Sequence, residues 1–336
     1  MHYKAFFCAF LLALNTTVHA NSLKPEQVSP DAKWLLHVDL ENLRKTKAGD
    51  FLLNGFVAQQ IAQATNQLKF DFSNLFQKIT SITAYGTDFK NGPQADGVLI
   101  INADTETQKA LEGLLVAQIL AVTNGPVKKV ENDSVALYSI ANEIFVSPDK
   151  GGVIVVSKSQ DQIELARDIM AGKKTKLNSN KLFTSFPSVS NSFFFLGVAE
   201  AFSGPGVTPP QAKILQMADG GRVVLGEAAD LLVLNLTLRG KTPEVTKQIQ
   251  QVIEGMVALV SLGQPDNEDL LQLAKSTKVS STAEMVSLNV DYPVAKVLAL
   301  LSEETAPKKP KTKTKHSRHS PKSKPDADAS VKEEDQ

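Results

Sequence analysis

"WLLHVDLENLRKTKAGDFLL", residues 34–53, changes its hydrophobic period halfway along. Trp34, Leu36, Val38 and Leu40 alternate, which places them on one face of a strand and leaves His37 and Asp39 on the other. From Asp50 the apolar positions become Leu53, Phe56, Val57, Ile61 and Ala64, the spacing of a helix packed along one stripe. A strand that runs into a helix in this way opens a layered α+β fold.

The next segments continue the pattern. "SITAYGT" (81–87) and "DGVLIINA" (96–103) read as strands with a turn at Asn91-Gly92-Pro93. Thr105 and Gln108 form a capping box before a helix carrying Leu111, Leu114, Leu115 and Ile119. Strands "SVALYSI" (134–140), "EIFVS" (143–147) and "GVIVVS" (152–157) come next, with a turn at Pro148–Gly151. A second capping box, Ser159 and Gln162, precedes Ile163, Ala166, Ile169 and Met170.

After a linker at 173–181 the order begins again. It runs through a strand "SFFFLGVA" (192–199), a helix capped by Thr208, and paired strands 222–228 and 230–240. In the second of these, Leu232, Leu234, Leu236 and Leu238 alternate with Asn235, Thr237 and Arg239. Pro243 opens a helix in which Val245, Ile249, Val252, Ile253, Met256, Val257 and Val260 fit one stripe. A short helix from Asn267, a hairpin (277–281 with 284–291) and a last helix at 293–301 complete this half. Gly86 corresponds to Gly226, strand 97–103 to 230–238, and "ALEGLL" (110–115) to "VIEGMV" (252–257). The expected architecture is therefore α+β with an internal duplication. Two ferredoxin-like units, 21–172 and 182–302, each place helices on one face of an antiparallel sheet.

The ends of the chain differ from this body. "MHYKAFFCAFLLALNTTVHA" (1–20) has a basic start at Lys4, ten apolar-rich residues and Val18-His19-Ala20 before the expected cleavage site, which is the form of a signal peptide. An exported, periplasmic or extracellular protein is expected. Cys8 is the only cysteine and lies in this leader, so the body can use neither disulfides nor thiol chemistry. Residues 303–336 hold one large apolar residue, Val331, and read as a disordered tail. Lys308, Lys309, Lys311, Lys313, Lys315, Arg318, Lys322 and Lys324 make that tail basic, while residues 21–307 hold 26 basic and 31 acidic side chains. Attachment of the tail to an anionic envelope polymer is the expectation.

Few residues in the body suit catalysis. His37 is its only histidine, and Asp39 at i+2 on a strand lies about 7 Å away, beyond hydrogen-bond reach. Ser147 and Lys150 satisfy S-x-x-K, but across a proline turn rather than on a helix. "GKT" (240–242) has Asn235 where a P-loop needs glycine. Asp266, Glu268 and Asp269 suit the first turn of a helix better than a metal. No catalytic residue, metal site or cofactor is assigned. His37, as a half-exposed strand residue, with Asp39 and Tyr85 are the candidate binding residues.

"PDAKWLLHVDLENLRKTKAGDFLL" (30–53), "GEAADLLVLNLTLRGKTPEVTKQIQQVIEGMVAL" (226–259) and "VSLNVDYPVAKVLALL" (286–301) together resemble a group of exported bacterial proteins of unknown function with a duplicated α+β body. The resemblance implies a fold and carries no activity or site residues. The resulting expectation is a non-catalytic exported binding or scaffold protein whose partner is a protein or an envelope polymer. The alternative is an envelope hydrolase or enzyme inhibitor using strand-end carboxylates such as Asp39, Asp50, Asp96 and Glu227.

Overall fold

Trp34–Asp39 forms a strand, β1, that is paired along both of its edges. The computed structural model describes residues 23–68, 73–88, 97–122, 125–131, 136–175, 193–200, 213–263 and 267–305. The remaining strands of the first half are β2 (Ser81–Gly86), β3 (Val98–Asn102), β4 (Val127–Val130), β5 (Leu137–Ile140), β6 (Ile144–Asp149) and β7 (Val153–Ser157). Those of the second half are β8 (Phe195–Glu200), β9 (Ala218–Ala228), β10 (Leu231–Gly240), β11 (Thr277–Ser281) and β12 (Met285–Pro293). All join one sheet in the order β11-β12-β10-β9-β8-β1-β2-β3-β7-β6-β5-β4, with every neighbouring pair antiparallel.

The α+β class with a large antiparallel sheet is observed, but two separate units are not. β1 pairs with β2 from Trp34–Gly86 to Asp39–Ser81 and with β8 from Trp34–Ala199 to Val38–Phe195, which fuses both halves into one twelve-stranded sheet. A ferredoxin-like unit slots another strand between the two that its first helix connects. Here β1 and β2 lie side by side although the whole first helical excursion separates them in sequence. The reason is the free edge of β1, which pairs with the other half instead of with a strand of its own.

The helices are α1 (Leu40–Arg44), α2 (Lys47–Phe51), α3 (Ala58–Leu68), α4 (Ser73–Gln77), α5 (Thr105–Ala121), α6 (Gln160–Met170), α7 (Lys213–Met217), α8 (Pro243–Gly263), α9 (Glu268–Ser276) and α10 (Val294–Thr305). Alternation divides the sheet into a Trp34 face and a His37 face. On the Trp34 face α5 covers Ile101, Tyr138, Val146 and Ile154, and α8 covers Leu236, Leu238, Val286 and Leu288. Between them, α1, α2 and α10 enclose Val38, Ile82, Leu225 and Leu232. On the His37 face the closed core lies over the first half and reaches Leu196, Val198 and Val224 of β8 and β9. There α6, through Ile163 and Ala166, and the segment with Leu23, Val28 and Ala32 pack on Leu35, Tyr85, Val98, Ile100 and Val155. Helices on a single face were expected; α6 departs from that.

Local chemistry explains where elements start. Asp104, not Thr105, caps α5 by accepting the Thr107 N–H at 2.7 Å, and Ser159 caps α6 as the sequence indicated. Thr46 caps α2 by accepting the Gly49 N–H at 2.8 Å, four residues ahead of the expected start at Asp50. Leu52–Val57 then winds as a π-helix. Its wider turn shifts the phase of the stripe, so Phe56 is 60% exposed instead of packed. Phe193 and Phe194 enter cores on opposite faces, as a sheet covered on both sides requires at this point. The short edge strand β4 has the pattern "VKKV", which shows no clear period.

Along α8, Ile249 is buried whereas Leu259 is 70% exposed. Ile249→Ala is expected to lower unfolding stability in urea by about 2–4 kcal/mol, while Leu259→Ala changes it by less than about 0.5 kcal/mol.

Candidate functional site

The three candidate binding residues are all interior. His37 has no exposed surface, and Asp39 and Tyr85 are almost as deeply buried. The half-exposed His37 expected from alternation is thereby corrected, because α6 and the Leu23–Ala32 segment complete a core on its face. His37 Nδ1 shares a 2.8 Å hydrogen bond with Thr83 Oγ1, its cross-strand partner on β2. Loss of water pushes its pKa down to about 4, against the opposing pull of Asp39. Asp39 itself caps α1, accepting the Asn42 N–H at 2.8 Å and the Asn42 side-chain amide at 2.9 Å. Burial pushes the Tyr85 phenol well above its ordinary range. A buried imidazole bonded across two strands and a capping carboxylate are parts of the sheet interior here.

Other strand-end acids are committed in the same way. Glu227, at the end of β9, accepts the backbone N–H groups of Lys47 at 3.1 Å and Ala48 at 2.9 Å. It therefore satisfies the first turn of α2 from the opposite half of the chain. Asp50 accepts from Asn54 at 2.6 Å and lines a pocket of about 410 Å³ with Arg44, Gly49, Leu53, Ser73 and Phe76. Among the described residues that line it, Asp50 is the only carboxylate. Arg44 spends both terminal nitrogens on the carbonyls of Ile79 and Phe76, at 2.8 Å each. Asp96 lies outside the described residues. Ser147 is buried, donating to the Ala136 carbonyl at 2.9 Å and accepting from Arg167, while Lys150 points outward from the turn. Among the described residues no group of His, Cys, Asp and Glu is arranged to hold a metal ion.

The sheet is least covered over the second half of its His37 face. α7, α8, α9 and α10 all pack on the opposite side, so among the described residues no helix lies over β9, β10, β12 and β11 here. Cross-strand pairing brings Arg222, Asn235, Thr237, Ser287 and Asn289 together. Arg222 donates to Asn235 at 3.2 Å, Asn235 to Asn289 at 2.6 Å, and Thr237 lies 3.4 Å from Ser287. Exposed Lys278 and Ser280 on the edge strand β11 extend the strip outward. Arg222 and Thr237 are buried, so the half-buried amides and hydroxyl of Asn235, Asn289 and Ser287 and the exposed Lys278 and Ser280 are the groups that can meet a polar partner, and they contain no nucleophile paired with a base. The signal was visible in "LLVLNLTLRG", whose alternate residues are polar, although it named no site. Lys308–Lys324, the candidate electrostatic residues of the tail, lie outside the described residues.

No family model and no curated protein sequence matches this chain. Among solved structures, crystal forms III, I and IV of TP0453 superpose with TM-scores of 0.48, 0.46 and 0.46 at 8% identity. Each alignment covers 84% of this chain, and 99%, 98% and 98% of the respective structures. A similarity of this size carries no functional reading.

The state of His37 is open to measurement. An unfolded histidine takes up its proton near pH 6.5, whereas the folded one resists down to about 4, so stability is complete above the first value and falls between the two. Lowering pH from 7 to 5 should therefore cost about 2 kcal/mol through this residue. Urea midpoints of His37→Gln should show a shallower decline over that interval than those of the unaltered protein.

Proposed function

We propose that this protein is an exported, non-catalytic binding or scaffold protein, which presents the helix-free polar strip of β9–β12 to its partner. The observation that carries the reading is the contrast between the two halves of the His37 face. One half is a closed core under α6; over the other no described helix lies, and half-buried Asn235, Ser287 and Asn289 lead outward from buried Arg222 and Thr237 to exposed Lys278 and Ser280. Supporting it, two of the strand-end acids that an enzyme could use, Asp39 and Glu227, are used as helix caps. The lone body histidine is buried and shares a hydrogen bond with Thr83.

The two halves are read as copies of one ancestral unit. Each runs strand, helical segment, strand pair, long helix, further strands and a helix, four strands at the fifth place in the first half and α9 with two strands in the second, and in each the last strand pairs with the third. In this reading the leader at 1–20 directs export, and the basic run at 308–324 attaches the protein to an anionic envelope polymer.

Two measurements test these elements. The chain from Asn21 onward should be retained on a phosphocellulose matrix at low salt and released as salt rises, and deletion of 306–336 should abolish retention; equal retention of the truncated chain refutes the role of the tail. In envelope extracts, cross-linked partners of the unaltered protein should be lost from Lys278→Glu, an exposed edge-strand substitution that leaves the thermal midpoint the same. Identical partner sets for both proteins refute the role of the strip.

A further inference from the structure

The Trp34 face has a feature that the binding reading leaves unused. Three of the helices lying on it, α5, α8 and α10, carry exposed aliphatic residues toward their C-terminal ends. α8 buries Ile249 and Ile253 against the sheet, yet from Val252 to Gly263 it has one charged residue, Glu254. Its residues Met256, Leu259 and Leu262 face outward, Leu262 at 78% exposure. α5 occupies the equivalent place in the first half and repeats the feature with Val116 and with Leu120, at 82% exposure. α10 adds Leu300 on the same face. Isolated exposed leucines are ordinary. Their recurrence at the ends of corresponding helices in both halves, on one side of one sheet, is a surface that water does not favour.

We infer that this face docks on an anionic phospholipid surface, with the helix ends entering the interfacial layer. No described helix is long and apolar enough to cross a membrane, so the contact is peripheral. The segment beyond α10 decides for a lipid surface over a second protein. The helix ends at Thr305, and Lys308 begins a run of eight cations with no acid before Asp326. Lys308 lies only three positions past the end of α10, so in sequence the run follows directly on the helix that carries Leu300. An apolar surface contributes salt-independent attachment and a polybasic segment contributes attraction to acidic headgroups. Stable peripheral binding takes two such signals together. The second signal rests on the proposed role of the tail; the first does not.

Vesicle flotation separates the two. The chain from Asn21 onward, which holds every described residue, is mixed with vesicles of phosphatidylcholine alone or with an equal share of phosphatidylglycerol. Flotation with the anionic vesicles is expected, with a fraction that persists at molar salt. Leu259→Ser/Leu262→Ser, with an unchanged thermal midpoint, should weaken partitioning at least about tenfold at high salt. Deleting 306–336 should remove the preference for phosphatidylglycerol and leave the salt-resistant component. Absence of flotation alongside intact retention on phosphocellulose overturns the membrane inference and leaves the tail reading standing. Unchanged flotation of the double serine variant overturns it as well. So does concentration-dependent dimerisation that the serine pair abolishes without any vesicle binding.

Discussion

The pairing of β1 with both β2 and β8 governs the rest of the structure. A strand paired on one edge would leave each half with an open border and its own small core. Paired on both, β1 becomes the middle of a single sheet, and its alternate side chains must be accommodated on two faces at once. On one face Gly86 leaves room for the Trp34 ring; a Cβ there would lie 2.6 Å from Trp34 Nε1. Gly197 does the same beneath Leu36 and Val223. On the other face, His37 is enclosed so completely that it stays neutral and is satisfied by Thr83. The junction therefore explains both the small residues around it and the loss of the histidine as a reactive group.

The junction also organises the charges. Glu227 reaches from the second half to cap α2 in the first, and Asp39 caps the helix that leaves β1. A carboxylate at a helix start accepts from N–H groups that have no partner within the helix. The exposed Lys47–Asp230 pair lies at the same seam, but at 2.7 Å in solvent it adds little. Near the far end of the His37 face, Gln27 and Asn102 exchange hydrogen bonds at 3.0 and 3.1 Å. That buried exchange holds the segment which helps seal His37. Polar groups that in isolation look like candidates for chemistry are in this fold the means by which backbone ends and buried amides are satisfied.

Much of this was legible in the sequence. The period-2 stretches became β1, β2, β3, β5–β10 and β12, and the helices after Ser159, Pro243 and Asn267 formed where their caps placed them. Which edges pair was not legible, because alternation fixes a strand's faces but not its neighbours. The apolar spacing along α8 predicts a wholly inward stripe; in fact Val252, Met256 and Val260 lie outward, since a helix apolar on every side carries no phase to say which side meets the sheet. The π-helical turn was invisible for a related reason: "LLNGFV" differs from an α-helical stretch only in hydrogen-bond register. The burial of His37 and Tyr85 depended on α6 crossing to their face, a tertiary event with no local signature. For the polar strip, the sequence supplied alternating residues but not the absence of a covering helix among the described residues.

The two faces of the second half are thus opposed in chemistry as well as in direction. One carries amides, hydroxyls and the Lys278 cation directly on the strands; the other carries helices with exposed aliphatic residues toward their C-terminal ends. Because they are the two sides of one sheet, an occupant of either leaves the other free. Docking through the outer sides of α5 and α8 would turn the Asn235–Asn289 strip away from the lipid and toward solvent, where a soluble partner meets it. The asymmetry that one alternating strand imposes on the sheet, apolar toward the helices and polar away from them, would in this arrangement set the orientation of the whole molecule.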